Sequence, residues 1–117
     1  MGLSGWWKAR AAVSNPQRGE VWWVDLGIAG KVRPVVVVNA PLADDDYALL
    51  ATVPQTTSEH PSRYALRLRV AGLKDGFFNL QGLAPVPRAK FLRRIGALNS
   101  EQQLAMDHAI RRWLALA

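Results

Sequence analysis

No cysteine occurs among the 117 residues. That absence excludes a disulfide framework, a thiolate metal site and a cysteine nucleophile, and it agrees with a cytoplasmic location. Long apolar runs are also missing: nothing approaches the roughly 18 residues that a membrane-spanning helix needs, so no membrane partner is expected. The N-terminus has no apolar centre of the kind that marks a secretory signal. No internal repeat is present. Acidic residues are scarce, at 9 Asp and Glu against 15 Lys and Arg, a net charge of +6. Such a balance either serves solubility or points to an anionic partner, of which nucleic acid is the commonest. Histidine occurs twice, and His60 and His108 both suit solvent-exposed positions.

What is present suits one domain, since a chain of this length buries about two thirds of its unfolded surface. Residues 1–17 read as a partly ordered tail, broken by Gly, Ser, Asn and Pro, with Trp6-Trp7 its bulky apolar feature and a short helix expected over Lys8 to Val13. Residues 18–117 form the domain. Three β-rich stretches open it: Arg18 to Leu26, Lys31 to Asn39 and Ala48 to Thr57, each bounded by Gly, Pro, Asn or Asp. That punctuation marks short strands joined by loops. In the first, alternation puts Val21 and Trp23 on one face and Trp22 and Val24 on the other. The second carries Val35 to Val38, apolar on both faces, as a doubly covered strand requires. Pro34 cannot donate to a ladder and belongs near the strand start.

Arg63 to Val70 alternates cleanly, with Tyr64, Leu66, Leu68 and Val70 inward and Arg63, Arg67 and Arg69 outward. Further strands are expected over Phe77 to Gln81, Leu83 to Val86 and Phe91 to Leu98. A final helix begins at Asn99 or Ser100. Ser100 with Gln103 fits a capping box, and Met106, Ile110, Trp113 and Ala117 recur at helical spacing as a face for the core or a dimer mate. Asp44, Asp45 and Asp46 read as a solvated loop tip. Several short strands and one terminal helix indicate a small, strongly bent antiparallel sheet.

Three polar groups mark strand ends: Glu20 at the first, Arg33 at the second and Thr56-Thr57 at the third. If the strands are neighbours, these ends converge on one pocket. Arg33 offers a planar, permanently charged guanidinium suited to phosphate. Thr56 and Thr57 can donate hydroxyl hydrogen bonds to a non-bridging oxygen. Glu20 is a base or an orienter of Arg33.

The ordered set Arg18-Gly19-Glu20-Val21-Trp22, Arg33-Pro34 with its valine run, Val53-Pro54-Gln55-Thr56-Thr57, Val86-Pro87-Arg88 and Arg94-Ile95-Gly96-Ala97-Leu98 resembles the PemK/MazF family of toxin endoribonucleases, over about residues 18 to 116. The resemblance implies a mainly β fold with a C-terminal helix, the SH3-like barrel of the PemK/MazF and CcdB toxins. It implies sequence-specific, metal-independent cleavage of single-stranded RNA by 2′-OH attack, with no cofactor. It makes Arg33 and Thr56 the main catalytic positions; Glu20 is the third catalytic candidate on its own chemistry. Thr57, Gln55, Arg63, Arg67, Asn79, Gln81 and Arg88 are the residues expected to contact RNA. It also implies a homodimer and an acidic cognate antitoxin. Some members carry an Arg-x-Asp pair where this chain has Asn79-Leu80-Gln81. Two other readings stay open: a non-catalytic poison that binds a protein target, as CcdB-like relatives do, and a catalytically weakened RNA-binding module.

Overall fold

The computed structural model describes residues 15–27 and 31–117. The expected short helix and the Trp6-Trp7 pair lie outside the described residues. Asn15 and Pro16 are already buried.

Among the described residues, seven strands and one α-helix follow in order. They are β1 (Glu20–Asp25), β2 (Val32–Val37), β3 (Leu49–Thr56), β4 (Ala65–Arg67), β5 (Phe77–Asn79), β6 (Ala84–Pro87), β7 (Phe91–Ala97) and α1 (Ser100–Leu114). The sheet runs β4-β5-β3-β2-β1-β7, with β6 also pairing β3, and every pairing is antiparallel. β3 is the pivot. Its first half, Leu49 to Thr52, pairs with β6, and its last residues, Gln55 and Thr56, pair with β5. A single strand that changes partners along one edge must bend, and this curls the sheet. The result is the mainly β fold with one C-terminal helix that the strand pattern predicts.

Both sheet faces are covered, which explains the continuous valine run. Val21, Val36 and Val53 pack with Leu68, Phe78, Leu80 and Met106 on one side. Val24, Val35 and Val37 pack with Leu50, Val86 and Phe91 on the other. Pro34 sits early in β2, opposite Trp23 of β1. β1 is an interior strand between β2 and β7.

Three boundaries differ from the sequence expectation. The strand expected over Arg63 to Val70 pairs only at Ala65–Arg67, because β5 offers it just three partners. Its inward alternation survives: Leu68 is in the first cluster, and Tyr64, Leu66 and Val70 pack against it. The strand expected to run to Gln81 stops at Asn79, whose side chain accepts a hydrogen bond from the Gln81 backbone N–H at 3.2 Å and starts a 3₁₀ turn over Leu80–Gly82. The helix cap is Asn99, not Ser100. Asn99 Oδ1 accepts from Gln102 N at 2.8 Å, while Gln102 Oε1 accepts from Asn99 N at 3.0 Å. The capping box therefore sits one residue earlier than expected.

α1 lays Met106, Ile110 and Trp113 on the first cluster, as its period requires. Ala117 does not join them. Ala115 adopts a left-handed backbone, φ 56, which ends the helix, and Ala117 is exposed. Arg111 and Arg112 lie in the last turn, where cations suit the negative end of the helix. Arg18 ties the start of the domain to α1 through Asp107 at 2.5 Å. Burial pushes the Asp107 carboxyl up, but hydrogen bonds from Arg18 and Gln103 outweigh it and leave it below its ordinary value. His108 is exposed, as expected. Among the described residues no helix is long and apolar enough to cross a membrane.

Candidate nucleic-acid interface

β2 and β3 pair Val35 with Pro54, Val36 with Val53 and Val37 with Thr52. Arg33 and Thr56 each lie two residues beyond the last of these pairs, at the same end of the two strands. β5 then pairs Phe77 with Thr56, and β4 pairs Arg67 with Phe77. Cross-strand partners share a face. Thr56, Phe77 and Arg67 therefore form one row across three strands, with Arg33 just past the last β2–β3 pair at the same end. The sequence neighbours Phe78 and Leu66 face the first core, so this row looks the other way.

Arg33 is half-buried, and its guanidinium is unpaired among the described residues. Thr56 Oγ1 accepts a hydrogen bond from Ser58 N at 3.2 Å, which leaves its hydroxyl hydrogen to donate. Thr57 is exposed at the start of the following loop. Two of the three polar strand ends, Arg33 and Thr56, thus lie at the same end of the β2–β3 pair.

The third does not. Glu20 starts β1, and the β1–β2 register that pairs Val21 with Val36 and Val24 with Arg33 puts it at the opposite end of the pair. Four residues of strand separate it from Arg33's partner, about 13 Å. Its carboxylate is held by Arg94 at 2.9 Å and accepts from Gln17 N at 2.7 Å and Trp22 Nε1 at 3.2 Å. The expectation of one pocket containing Glu20 fails because antiparallel pairing puts the start of one strand beside the end of the next.

The expected RNA contacts scatter similarly. Gln55 is 5% exposed. It faces the other side of β3, and its Nε2 donates to the Lys74 carbonyl at 3.0 Å. Its amide is committed to bracing the 71–76 turn. Arg63 lies over the Tyr64 ring at 4.8 Å, beside Arg112 and Trp113 on the helix side. Arg88 lies over the Trp22 ring at 5.3 Å, near the Glu20–Arg94 pair. Asn79 shares the face of Thr56 but uses its side-chain oxygen on Gln81 N, and Gln81 is exposed. Arg67 stays on the row and pairs with Asp75. That hydrogen bond holds the Asp75 carboxyl below its usual range.

Among the described residues no three His, Cys, Asp or Glu side chains gather as a metal-ligand set. Asp44, Asp45 and Asp46 are exposed, and Asp46 closes its own turn by accepting from Ala43 N at 2.7 Å.

Sequence reasoning missed Phe77, which it placed in a strand without a role. The available signal was its neighbour: alternation beside a buried Phe78 leaves Phe77 on the outer face. Gly76 is the other silent contributor. A Cβ there would lie 2.7 Å from the Thr56 carbonyl oxygen and 3.3 Å from Gln55 Nε2. Only glycine lets β5 enter this close to the end of β3. Gly76→Ala should therefore push the backbone at Thr56 and cost about 1–3 kcal/mol, the scale of overpacking. Urea unfolding measures this, and an unchanged midpoint would show that the contact relaxes freely.

Residues 17–114 match the family model of the PemK-like, MazF-like toxin of type II toxin–antitoxin systems. The fold is similar to that of a mycobacterial endoribonuclease solved in complex with its cognate antitoxin, with a TM-score of 0.75 and 19% identity over 87% of this chain and 97% of that one. It is similar to the Mycobacterium tuberculosis toxin MazF-mt6, at 0.72 and 21% over 84% and 98%. It is also similar to a MazE–MazF structure from Deinococcus radiodurans, at 0.70 and 15% over 88% and 98%.

Proposed function

We propose, from the premise that this chain belongs to the PemK-like, MazF-like toxin family of type II toxin–antitoxin systems, that it is an endoribonuclease acting on single-stranded RNA. The observation that supports this reading is that Arg33 and Thr56 both extend beyond the last β2–β3 pair, Val35 with Pro54, at the same end of the two strands, in a basic domain. The family match and the endoribonuclease neighbours support the activity. This centre also favours cleavage over the readings without chemistry.

The chemistry follows from the groups present. The ribose 2′-oxygen attacks the adjacent phosphorus, the bond to the 5′-oxygen breaks, and a 2′,3′-cyclic phosphate remains. The 2′-hydroxyl loses one proton and the 5′-oxygen gains one, so the step is proton-neutral. Arg33 binds the phosphate through its paired N–H donors and offsets the charge that builds on the phosphorane. Thr56 donates its hydroxyl hydrogen to a non-bridging oxygen. Glu20 stands too far away for this step within one protomer. Arg67 and the exposed Thr57 extend the contact along the strand of RNA, and sequence preference would reside in the groups that flank Arg33 and Thr56.

Because the groups assigned to this step are a guanidinium and a hydroxyl, cleavage should persist in EDTA. Digestion of a long single-stranded RNA with and without chelator tests this. Activity that disappears with EDTA and returns with Mg²⁺ would move attention to the Asp44–Asp46 loop.

The reading extends to partners: a homodimer, and an acidic antitoxin segment that competes with RNA for the basic face. The Trp113 face packs on this chain's own core. A better candidate is the exposed Val32 and Leu92, which line a depression of about 280 Å³ with Trp23 and Arg93, since exposed apolar patches mark interfaces. Light scattering at micromolar concentration distinguishes dimer from monomer. RNA affinity should fall by orders of magnitude between about 50 and 200 mM salt if several phosphates are contacted. A flat salt series would reduce the basic face to ordinary solvated surface.

A further inference from the structure

We propose that Phe77 is a nucleobase-stacking platform beside Thr56, and that single-stranded RNA runs from Arg33 across the sheet along the row Thr56, Phe77 and Arg67, with one base on the Phe77 ring and a phosphate on Arg67. This rests on the endoribonuclease reading and names the path of its substrate.

Phe77 belongs to neither hydrophobic cluster, although Phe78 beside it is fully buried in the first. It is half-buried on the outer face of a three-residue strand. Among the described residues its ring stacks on no other aromatic. It lies between Thr56 on one side and Arg67 on the other. Neighbouring strands are about 4.8 Å apart, so the ring lies one strand from the hydroxyl and Arg67 lies two. Donor, ring and cation in that order match the repeating chemistry of a single strand, in which phosphates alternate with π-faces. Aromatic stacking accepts any base, so Phe77 would hold the strand without imposing a sequence.

Arg67 has a local partner in Asp75. Both side chains are exposed, at 59% and 41%, and such a pair contributes little stability. A phosphate can therefore displace Asp75. In the free protein Asp75 masks Arg67, and removing the mask should tighten RNA binding.

The test uses the full chain. KM and kcat are measured on a long single-stranded RNA, and binding on a 2′-O-methylated single strand that lacks the attacking hydroxyl. The strand carries 2-aminopurine, whose fluorescence reports stacking. Phe77→Leu should raise KM and the dissociation constant about fivefold to hundredfold, the range for losing one stacked base, and should abolish the fluorescence change. Phe77→Trp should restore both, which a purely structural role would not predict. Arg67→Gln should lower the salt slope of binding by about 0.7, the value for one single-strand phosphate. Asp75→Asn should lower KM. Wild-type cleavage together with an unaffected Phe77→Leu overturns this inference alone. So does a Phe77→Trp as impaired as Phe77→Leu. A wild-type chain that neither cuts nor binds RNA overturns the endoribonuclease reading as well.

Discussion

Arg33→Ala and Thr56→Ala should each slow RNA cleavage by about a hundredfold or more. That is the scale of losing one preorganised donor to a transition-state oxyanion. The two substitutions act differently. Arg33→Ala removes charge and both donors at once, so substrate binding falls with the rate. Arg33→Lys keeps the charge but not the planar fork, and should recover only part of the loss. Thr56→Val keeps the branched shape and removes only the hydroxyl, so it should match Thr56→Ala in rate while leaving KM near wild type. Both residues sit half-buried, away from the two core clusters, and backbone pairing of Thr56 with Phe77 does not need the hydroxyl. Thermal unfolding should therefore move little. Gel assays of a long RNA under single-turnover conditions read the rate directly. Near-wild-type cleavage by Arg33→Ala would remove the site assignment.

The largest effect on stability should come from Phe78→Ala, at about 3–5 kcal/mol. Phe78 is fully buried and lies in the register between Gln55 of β3 and Leu66 of β4. Its ring packs in the cluster that contains Met106 of α1. Truncation leaves a cavity where strands from the end of the sheet meet the helix. The sheet beyond β3 is short, with β4 and β5 of three residues each, so little pairing remains to hold its shape. Because Thr56 pairs with the residue next to Phe78, activity should fall with stability. Chemical denaturation gives the free energy, and a loss under about 1 kcal/mol would show that the first core does not depend on this ring.

Much of the architecture is legible in the chain itself. A valine run with no polar interruption requires cover on both faces, and β2 has it. Alternation in Tyr64, Leu66, Leu68 and Val70 identifies the inward face even where ladder pairing is lost. Met106, Ile110 and Trp113 mark the buried side of a helix whose terminus is one residue from where Ser100 suggested. These are local properties: period, turn chemistry and volume. The nature of the chemistry is also local, because only certain side chains bind phosphate or donate to an oxyanion, and Arg33 and Thr56 stand out on that ground.

Which of these groups share a strand end or a face was decided elsewhere. Glu20, Arg33 and Thr56 look equivalent as polar strand ends, yet antiparallel pairing carries Glu20 to the far end of the sheet, where Arg94 holds it. Gln55 and Thr56 are neighbours in sequence, but the two-residue period of a strand buries one and presents the other. Phe77 joins the row only because the bend of β3 gives its last residues to β5, and Gly76 leaves room for that approach. Residue types and periods determine which groups this protein has and which way each strand turns them. Register and bend decide which of those groups meet, because contacts between strands depend on pairing across long separations that no local pattern encodes.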